Sequence, residues 1–359
     1  MDQYVYHNES IAKYVNSNFV SVKIQFDSTQ KDDEETKKWF AVSKNINSEY
    51  GIGVFPSFLF FSPDGVIVHR DAAFKDSASF LNLLNIALDT ANGYYSLIRK
   101  YQEGDQMYAK LPYLSSLAKT IRNDNEAEKM SQDYIHNYLL RNPEKISIRE
   151  NMVFFVYNIK DTHDSAFFFL KSHTALFDSV FGRYFARNIM DYLIGKDYVP
   201  NYGTNEAPSW DTRQEVIEKD FGEETAERII LAKEVAWYRR KKDWVDYTKL
   251  LTKRVNRFSD YGVYGVYFYL NNDAWNIFLH SSNRSELKSA LKWCTEAMED
   301  NPKYVNTYDT YANILYVLGR RKKAIFFEER AVSIAPAEKP FQEVLLKMKN
   351  GEKITPPEQ

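Results

Sequence analysis

The sequence predicts a small α/β domain at the N-terminus and an all-α domain of stacked helical hairpins after it. A proline-led apolar run, Phe58 to Phe61, followed by a tight-turn sequence, predicts the strands of the first domain. A pattern of small and aromatic residues in 305–338 recurs about 34 residues earlier, and predicts the hairpins of the second. The chain has 359 residues, of which 44% are hydrophobic and 16% aromatic, enough to fill the cores of two or three domains.

The apolar run at 58–61 predicts a β-hairpin. Its uninterrupted apolar residues are typical of a strand buried on both faces. Pro56 stands at the entrance of the run, where a residue that cannot donate a ladder hydrogen bond marks the start of a strand. Residues 62–65 read Ser-Pro-Asp-Gly, which suits a tight turn, and Val66 to Arg70 alternates as a returning strand would.

Helices and one further strand are predicted around this hairpin. Glu9 to Asn18 has a helical pattern, and Phe19 to Asp27 alternates apolar with polar residues over the length of a strand. Lys37 to Tyr50 carries apolar residues at helical spacing and ends near Gly51. Ser77 to Ala91 then predicts a closing amphipathic helix.

This order of elements resembles the C-terminal part of thioredoxin-like domains over residues 1–91. The sequence VFPSFLFFSPDG, at 54–65, carries the resemblance. In that family the proline that matches Pro56 is cis, and the backbone of the preceding residue, here Phe55, pairs with an extended substrate peptide. The resemblance therefore implies a cis proline and a peptide-binding edge at Phe55 and Pro56, although an ordinary trans proline also starts strands.

The redox chemistry of that family requires residues that this sequence does not contain. Thiol-disulfide exchange needs a thiolate at a helix N-terminus and a second thiol within reach. The family supplies both as a Cys-x-x-Cys pair ahead of the helix that here begins near Met1. The chain has one cysteine, Cys294, far downstream. No catalytic residue is therefore predicted, and the resemblance is to an incomplete thioredoxin-like domain.

Two explanations fit the incomplete domain. Either Met1 is an internal methionine of a longer protein, whose signal sequence, first strands and cysteine pair precede it, or a natural chain has lost redox function. We favour the first, because the remaining half keeps its core residues and Pro56. In the family fold, one of the absent strands lies between the strands that match Val20–Phe26 and Phe58–Phe61. We therefore expect the N-terminal domain to be marginal or rearranged.

The C-terminal part of the chain resembles tetratricopeptide repeats. In 305–338 the small and aromatic residues follow the order of that family, with Glu328 in place of an aromatic residue as the main departure. Small residues let paired helices approach closely, and a proline ends each unit. The positions that carry the pattern are Ala290, Ala297, Pro302, Tyr308, Ala312, Gly319, Ala324, Ala331 and Pro336.

Weaker copies and connecting segments complete the predicted organisation. Residues 232–254 and 114–142 are each interpreted as a further hairpin, and 199–209 is rich in turn-forming residues. The predicted domains are an incomplete thioredoxin-like domain in 1–91, a helical-hairpin region in 92–200, tetratricopeptide-like repeats in 210–348 and a disordered tail in 349–359.

Charge and hydropathy exclude several classes of partner. The formal net charge is -2, so no global attraction draws the chain to nucleic acid or to anionic lipid. The basic runs at 239–242 and 320–323 are followed by acidic residues, and we interpret them as solvated helix ends or turns. No apolar run reaches the length of a membrane span, and the first residues contain no signal peptide. As written the chain is predicted to stay in the cytoplasm, whereas a preceding signal would export it, as happens with many bacterial thioredoxin-like proteins.

Other chemistry has no support in the sequence. The six histidines show neither His-x-x-x-His nor Glu-x-x-His spacing, so no metal site is predicted. The sequence contains no phosphate-binding glycine loop and no nucleophile elbow, and no cofactor is predicted. Cys294 stands at a packing position of a repeat, and we interpret it as an inert buried thiol.

Two hypotheses of function remain. In the first, the parent protein is a thiol-disulfide oxidoreductase whose repeats choose its client, and this chain is its redox-inactive remainder. In the second, the chain is a non-enzymatic scaffold that holds a protein or peptide partner beside Phe55 and Pro56 and on the face of the repeats. The reading frame before Met1 separates the two, because a Trp-Cys-x-x-Cys segment there favours the first.

The chain by itself should not accelerate the reduction of insulin by dithiothreitol. A single inert thiol supplies neither the nucleophile nor the resolving thiol of an exchange reaction. The turbidity of precipitating insulin chains measures this, with buffer alone as the reference. Clear turnover above the buffer rate would contradict the interpretation of Cys294.

Overall fold

Helices make up 70% of the chain, and the one sheet in its described part has two strands. The computed structural model describes residues 1–29, 31–89, 91–199, 206–258 and 265–354. The chain divides into two units, Met1–Asn158 and Ile159–Gln359. The finer boundaries that the sequence suggests, near residues 91, 200 and 348, stay predictions.

In the first unit a β-hairpin is surrounded by short helices. The helices predicted for Glu9–Asn18 and from Ser77 are confirmed, and the one predicted for Lys37–Tyr50 is divided at Trp39. The elements are a π-helical turn (Asp2–Tyr6), α1 (Glu9–Asn18), α2 (Glu34–Lys38), α3 (Phe40–Tyr50), β1 (Ser57–Phe61), β2 (Ile67–Ala72), α4 (Ser77–Leu88), α5 (Tyr94–Gln102), a 3₁₀ turn (Tyr108–Lys110), α6 (Leu111–Thr120), α7 (Asp124–Asp133), a π-helical turn (Tyr134–Leu139), α8 (Pro143–Ile146) and α9 (Arg149–Tyr157).

Local capping explains where these helices begin and end. The side chain of Asn8 accepts a hydrogen bond from the N–H of Ile11 at the start of α1, and Asp76 accepts one from Ser79 at the start of α4. Gly51 ends α3 in the left-handed conformation, with φ of 56°. Glycine adopts this conformation at little cost because it has no Cβ.

The hairpin confirms the strands and the turn predicted for 58–70. β1 and β2 pair antiparallel, with Leu59 opposite Arg70. At the turn, the N–H of Gly65 donates to the carbonyl of Ser62 at 2.8 Å. One face of the hairpin packs on α4, where the rings of Phe58 and Phe80 lie 5.5 Å apart.

The strand predicted for Phe19–Asp27 is wrong. No residue of this segment belongs to a strand, and Val20 is 99% and Val22 62% exposed. A strand needs a neighbour for its backbone N–H and C=O groups and a surface for its apolar face. No described segment pairs with these residues, so alternation in the sequence is not enough to make them a strand.

A buried arginine joins the hairpin to two helix ends. Arg70 of β2 is 5% exposed. Its guanidinium donates to the carbonyls of Tyr50, Gly51 (3.3 Å) and Ile121 (3.4 Å). These carbonyls belong to the ends of α3 and α6, where a helix leaves its last acceptors without partners. Arg70 therefore stabilises three elements of the first unit together.

The second unit consists of helices, and consecutive ones pack in pairs. The predicted hairpins correspond to the packed pairs α14 with α15, α16 with α17, and α18 with α19 in the numbering that follows. The elements are α10 (Ser165–Ser172), α11 (Thr174–Phe181), α12 (Phe185–Tyr198), α13 (Trp210–Phe221), α14 (Glu223–Lys241), α15 (Trp244–Arg257), α16 (Val266–His280), α17 (Arg284–Asp300), α18 (Val305–Val317), α19 (Arg321–Ile334) and α20 (Lys339–Asn350). Most of the turn-rich segment 199–209 lies outside the described residues. None of the described helices combines the length and apolarity needed to cross a bilayer.

The tail predicted to be disordered over 349–359 begins with ordered residues. The hydroxyl of Tyr316 donates to the carbonyl of Glu352 at 2.8 Å, and Ile354 packs against the core of the second unit. An apolar side chain after the last helix thus finds a surface to cover, while the bounds given for the tail stay a prediction. Residues 355–359 lie outside the described part of the chain.

Replacing Arg70 with alanine should destabilise the first unit. The substitution leaves helix-end carbonyls without their donor at a buried place, so we expect the free energy of unfolding to fall by about 2–4 kcal/mol. Amide exchange in β1 and β2 under increasing urea measures the first unit alone. Arg99→Ala, at an exposed position of α5, is the matched control and should cost less than about 0.5 kcal/mol. Equal effects of the two substitutions would contradict the role given to Arg70.

Candidate functional site

The first candidate site is the start of β1, where the predicted peptide-binding residues lie. The peptide bond between Phe55 and Pro56 is cis, which confirms that prediction. The carbonyl of Pro56 accepts the N–H of Ala73 at 2.9 Å, which ties the proline to the end of β2. The side chain of Phe55 is 61% exposed. An aromatic ring therefore faces solvent at the entrance of the strand.

One edge of β1 has no strand beside it among the described residues. The bond between Pro56 and Ala73 marks a hydrogen-bonded position of the ladder, and such positions alternate along an antiparallel pair. Phe58 and Phe60 consequently direct their backbone groups to β2, whereas Leu59 directs its own to the opposite edge. Unpaired N–H and C=O groups of this kind bind an added strand.

The segment at 19–27 contacts side chains of β1 without pairing to its backbone. The rings of Phe19 and Phe60 lie 5.7 Å apart, and those of Phe26 and Phe55 lie 5.4 Å apart. The segment is therefore antiparallel to β1, and its side chains reach the strand while its backbone joins no ladder. The start of β1 is lined on this side by the ring of Phe26.

The residues of the repeat pattern lie inside the last two hairpins and at their ends. Gly319 ends α18 with φ of 82°. The hydroxyl of Tyr308 donates to the carbonyl of Pro302 at 2.9 Å, which ties α18 to the turn that precedes it. Pro302 and Pro336 follow the ends of α17 and α19 at exposed positions. The fully buried small residues are Ala290, Ala297, Ala312, Ala324 and Ala331.

Glu328, the departure from the repeat pattern, is completely buried on α19. Burial and the nearby carboxyl group of Asp309 raise its pKa, and burial raises the pKa of Asp309 as well. The amide of Asn313 donates to Asp309 at 2.9 Å, but neither oxygen of Glu328 meets a donor among the described groups. Two ionised carboxylates only accept hydrogen bonds, so a proton on Glu328 is what lets the pair bond to each other.

Cys294 lies at a buried packing position of α17, as predicted. Burial raises the pKa of the thiol far above its ordinary range, and the charge of Asp309 acts in the same direction. The thiolate is the reactive form of cysteine. Both effects disfavour the thiolate, and the thiol has no exposed surface from which to attack a disulfide.

A group of ligand-type side chains lies ahead of α10, where the sequence predicts no metal site. Asp161, His163 and Asp197 bring potential ligand atoms within 4.8 Å of one another. Asp197 accepts hydrogen bonds from the N–H (2.7 Å) and the hydroxyl (2.8 Å) of Thr162, and Asp161 accepts one from the N–H of His163 at 2.9 Å. The carboxylates thus hold the turn before the helix, and the His163 side chain is 83% exposed. Thr162 and Asp197 are 35 positions apart, so no local spacing indicates the group.

Comparison with protein-family models and with curated proteins finds no match to this chain. The resemblance to thioredoxin-like domains and to tetratricopeptide repeats therefore rests on the residues quoted above.

Glu328→Gln should make the second unit less sensitive to pH. The raised pKa means that the folded state holds a proton that the unfolded chain releases above its ordinary value of 4.5. The stability from this proton is complete below that value and is lost as the pH rises through the folded-state pKa. The free energy of unfolding of the unmodified chain should fall by up to about 1.4 kcal/mol per pH unit in this interval.

Glutamine carries its own donor and does not ionise, so the variant should be the more stable protein at pH above neutrality. Urea unfolding at a series of pH values, followed by tryptophan fluorescence, measures the effect, because all tryptophans except Trp39 lie in the second unit. Glu299→Gln, at an exposed position of α17, is the control and should leave the pH dependence unchanged. A parallel pair of pH profiles for the unmodified chain and Glu328→Gln would contradict the assignment of the proton.

Proposed function

We propose that this chain binds a partner protein as an extended peptide along the free edge of β1, and that it carries out no thiol chemistry itself. On this proposal it is a thioredoxin-like protein whose tetratricopeptide-like repeats take part in partner binding. The observation that carries the proposal is the exposed ring of Phe55 at the head of a strand that has, among the described residues, a neighbour on one edge only. A backbone edge and an adjacent apolar contact are the two parts of a strand-addition site.

The edge of β1 offers a peptide two kinds of contact. The backbone groups of Leu59 point to the open side and supply hydrogen bonds that any peptide sequence can make. The rings of Phe55 and Phe26, which lie against each other, supply an apolar surface for one side chain of the peptide. The first contact gives affinity, and the second gives a preference for an apolar residue.

The composition of β1 also favours an edge that is covered when the protein functions. Proteins protect exposed strand edges with charged residues, prolines or bulges inside the strand. The strand Ser57–Phe61 reads Ser-Phe-Leu-Phe-Phe and carries no charge, and Phe61 at its end is exposed. An apolar open edge of this kind is a binding site or an aggregation hazard.

The burial of Cys294 supports the second half of the proposal. A partner bound at β1 meets no reactive thiol of this chain, since the one cysteine is enclosed by the last hairpins. Binding without exchange is therefore the activity that these residues support. The alternative hypothesis of a purely non-enzymatic scaffold makes the same assignment for this chain.

Phe55→Ala should weaken peptide binding about tenfold, which corresponds to about 1.4 kcal/mol, because exposed aromatic anchors dominate such contacts. Peptides that bind the full chain are selected from a library of short random sequences, and the affinity of each for the variants is measured by fluorescence anisotropy. Tyr157→Ala is the matched control, since that ring is 74% exposed in the same unit but lies on α9. It should leave affinity unchanged.

Hydrogen exchange locates the bound peptide directly. Peptide binding should slow the exchange of the Leu59 amide, which faces the open edge, and should have little effect on Phe58, whose amide already faces β2. Selected peptides that bind Phe55→Ala as tightly as the unmodified chain, and that leave Leu59 unprotected, would contradict the proposal.

A further inference from the structure

A groove in the second unit lies where α14, α15 and α16 pack. Its volume is about 600 Å³, the size of a site for a small ligand or a few residues of a peptide. Ala232 and Ala236, one turn apart on α14, leave the space free, and Leu251 of α15 and Asn276 of α16 line it from the other helices.

Positive charge is concentrated at this groove. Arg239, Arg240 and Lys242, at the end of α14, line it together with Arg254 of α15. Asp273 is the one acidic residue of the lining. Four basic residues against one acidic residue give the lining an excess of positive charge, and a concave surface with such an excess attracts anionic ligands.

Two of these cations, which belong to different helices, act on the same buried side chain, that of Tyr247. Its side chain is buried at the groove, and burial raises the pKa of the phenol to about 12. The charges of Arg239 and Arg254 act against this increase, and the charge of Asp273 adds to it. Arg239 also assists burial in lowering the pKa of His280. Arg239 of α14 and Arg254 of α15 therefore both act on the buried tyrosine of the groove, with Asp273 opposing them.

Arg239 is not neutralised by a carboxylate in the described part of the chain. In the same helix, by contrast, the guanidinium of Arg228 donates to both carboxylate oxygens of Asp191, at 2.6 and 2.9 Å. Arg228 is thereby used to join helices, whereas the guanidinium of Arg239 is exposed at the groove. An arginine without such a partner can form charge-assisted hydrogen bonds to a ligand carboxylate.

The floor of the groove is apolar. Val235, Tyr247 and Leu251 are buried residues that line it below the cations. An apolar side chain placed there would be removed from water, at a gain of about 25 cal/mol for each Å² of apolar surface buried. The groove thus combines a cationic rim with an apolar floor.

We propose that this groove binds an acidic peptide segment of a partner protein, in which an apolar side chain is flanked by carboxylates. This inference rests on the proposed function, since it gives the helical hairpins a partner of stated chemistry. Nucleic acid fits less well, because the groove is short and contains Asp273, while the net charge of the chain is -2. Phosphate backbones need an extended basic surface.

Binding is measured by fluorescence anisotropy with the full chain and a labelled peptide, Gly-Glu-Glu-Leu-Glu-Glu-Gly. We expect a Kd on the order of micromolar at low salt, and weaker binding at higher ionic strength. Arg239→Gln and Arg254→Gln should each weaken binding about tenfold. Arg330→Gln, which removes the same charge from an exposed position of α19, is the matched control and should change Kd less than about twofold.

The Asp273→Asn variant tests whether a change in affinity comes from the charge of the groove or from damage to the fold. Removing the acidic residue of the lining should tighten binding by about twofold to fivefold, whereas a damaged fold would weaken it. The same peptide with glutamine in place of each glutamate should bind at least about tenfold more weakly.

The inference is overturned if the glutamine peptide binds equally well, or if Arg330→Gln weakens binding as much as Arg239→Gln. It is also overturned if a single-stranded oligonucleotide displaces the peptide better than the unlabelled peptide does.

Competition between peptides separates this inference from the function proposed for β1. A peptide that protects Leu59 should not displace the acidic peptide, because the two bind different units. If the peptide selected for β1 binds and the acidic peptide does not, the groove inference alone fails. If the acidic peptide binds with the variant effects given above while no peptide protects Leu59, the function proposed for the edge fails and the groove remains.

Discussion

The buried guanidinium of Arg70 is the contact on which the first unit depends. It donates to carbonyls at the ends of α3 and α6, which would otherwise be acceptors without donors. Leu59 lies opposite Arg70 in the ladder, so the contact that fixes β2 also fixes the strand whose other edge is open. The open edge is therefore rigidly held, and a peptide that adds to it need not order the strand first.

Charged groups in this chain divide according to whether the fold supplies their partners. Arg70 and Arg228 are held by carbonyls and by a carboxylate, and they join elements. Glu328 is buried with one acidic neighbour and needs a proton to be accommodated. Arg239 lies exposed at a groove and forms no ion pair with a carboxylate in the described part of the chain. Burying a charge without a partner is costly. An arginine without a carboxylate partner is therefore tolerated at an exposed position, where a ligand can bind to it.

The parts of the fold that were predictable from the sequence are those with local causes. Pro56 and the Ser-Pro-Asp-Gly turn at 62–65 specify a hairpin by themselves, and buried alanines at a fixed period specify paired helices. Alternation at 19–27 failed because a strand also requires a neighbour. The groove was missed for a related reason. The run at 239–242 has the composition of a solvated helix end, and Arg254, which faces it, belongs to the next helix.

The strand addition proposed for β1 and the charge recognition proposed for the groove would select a partner by different features. Hydrogen bonds along β1 are made with the peptide backbone, which every sequence shares, so this edge alone discriminates weakly. The carboxylate preference proposed for the groove would supply the discrimination that the edge lacks, because like charge or unpaired charge in a groove is costly. With Cys294 enclosed, neither site has a thiol beside it. The binding proposed for both sites therefore calls on no thiol of this chain.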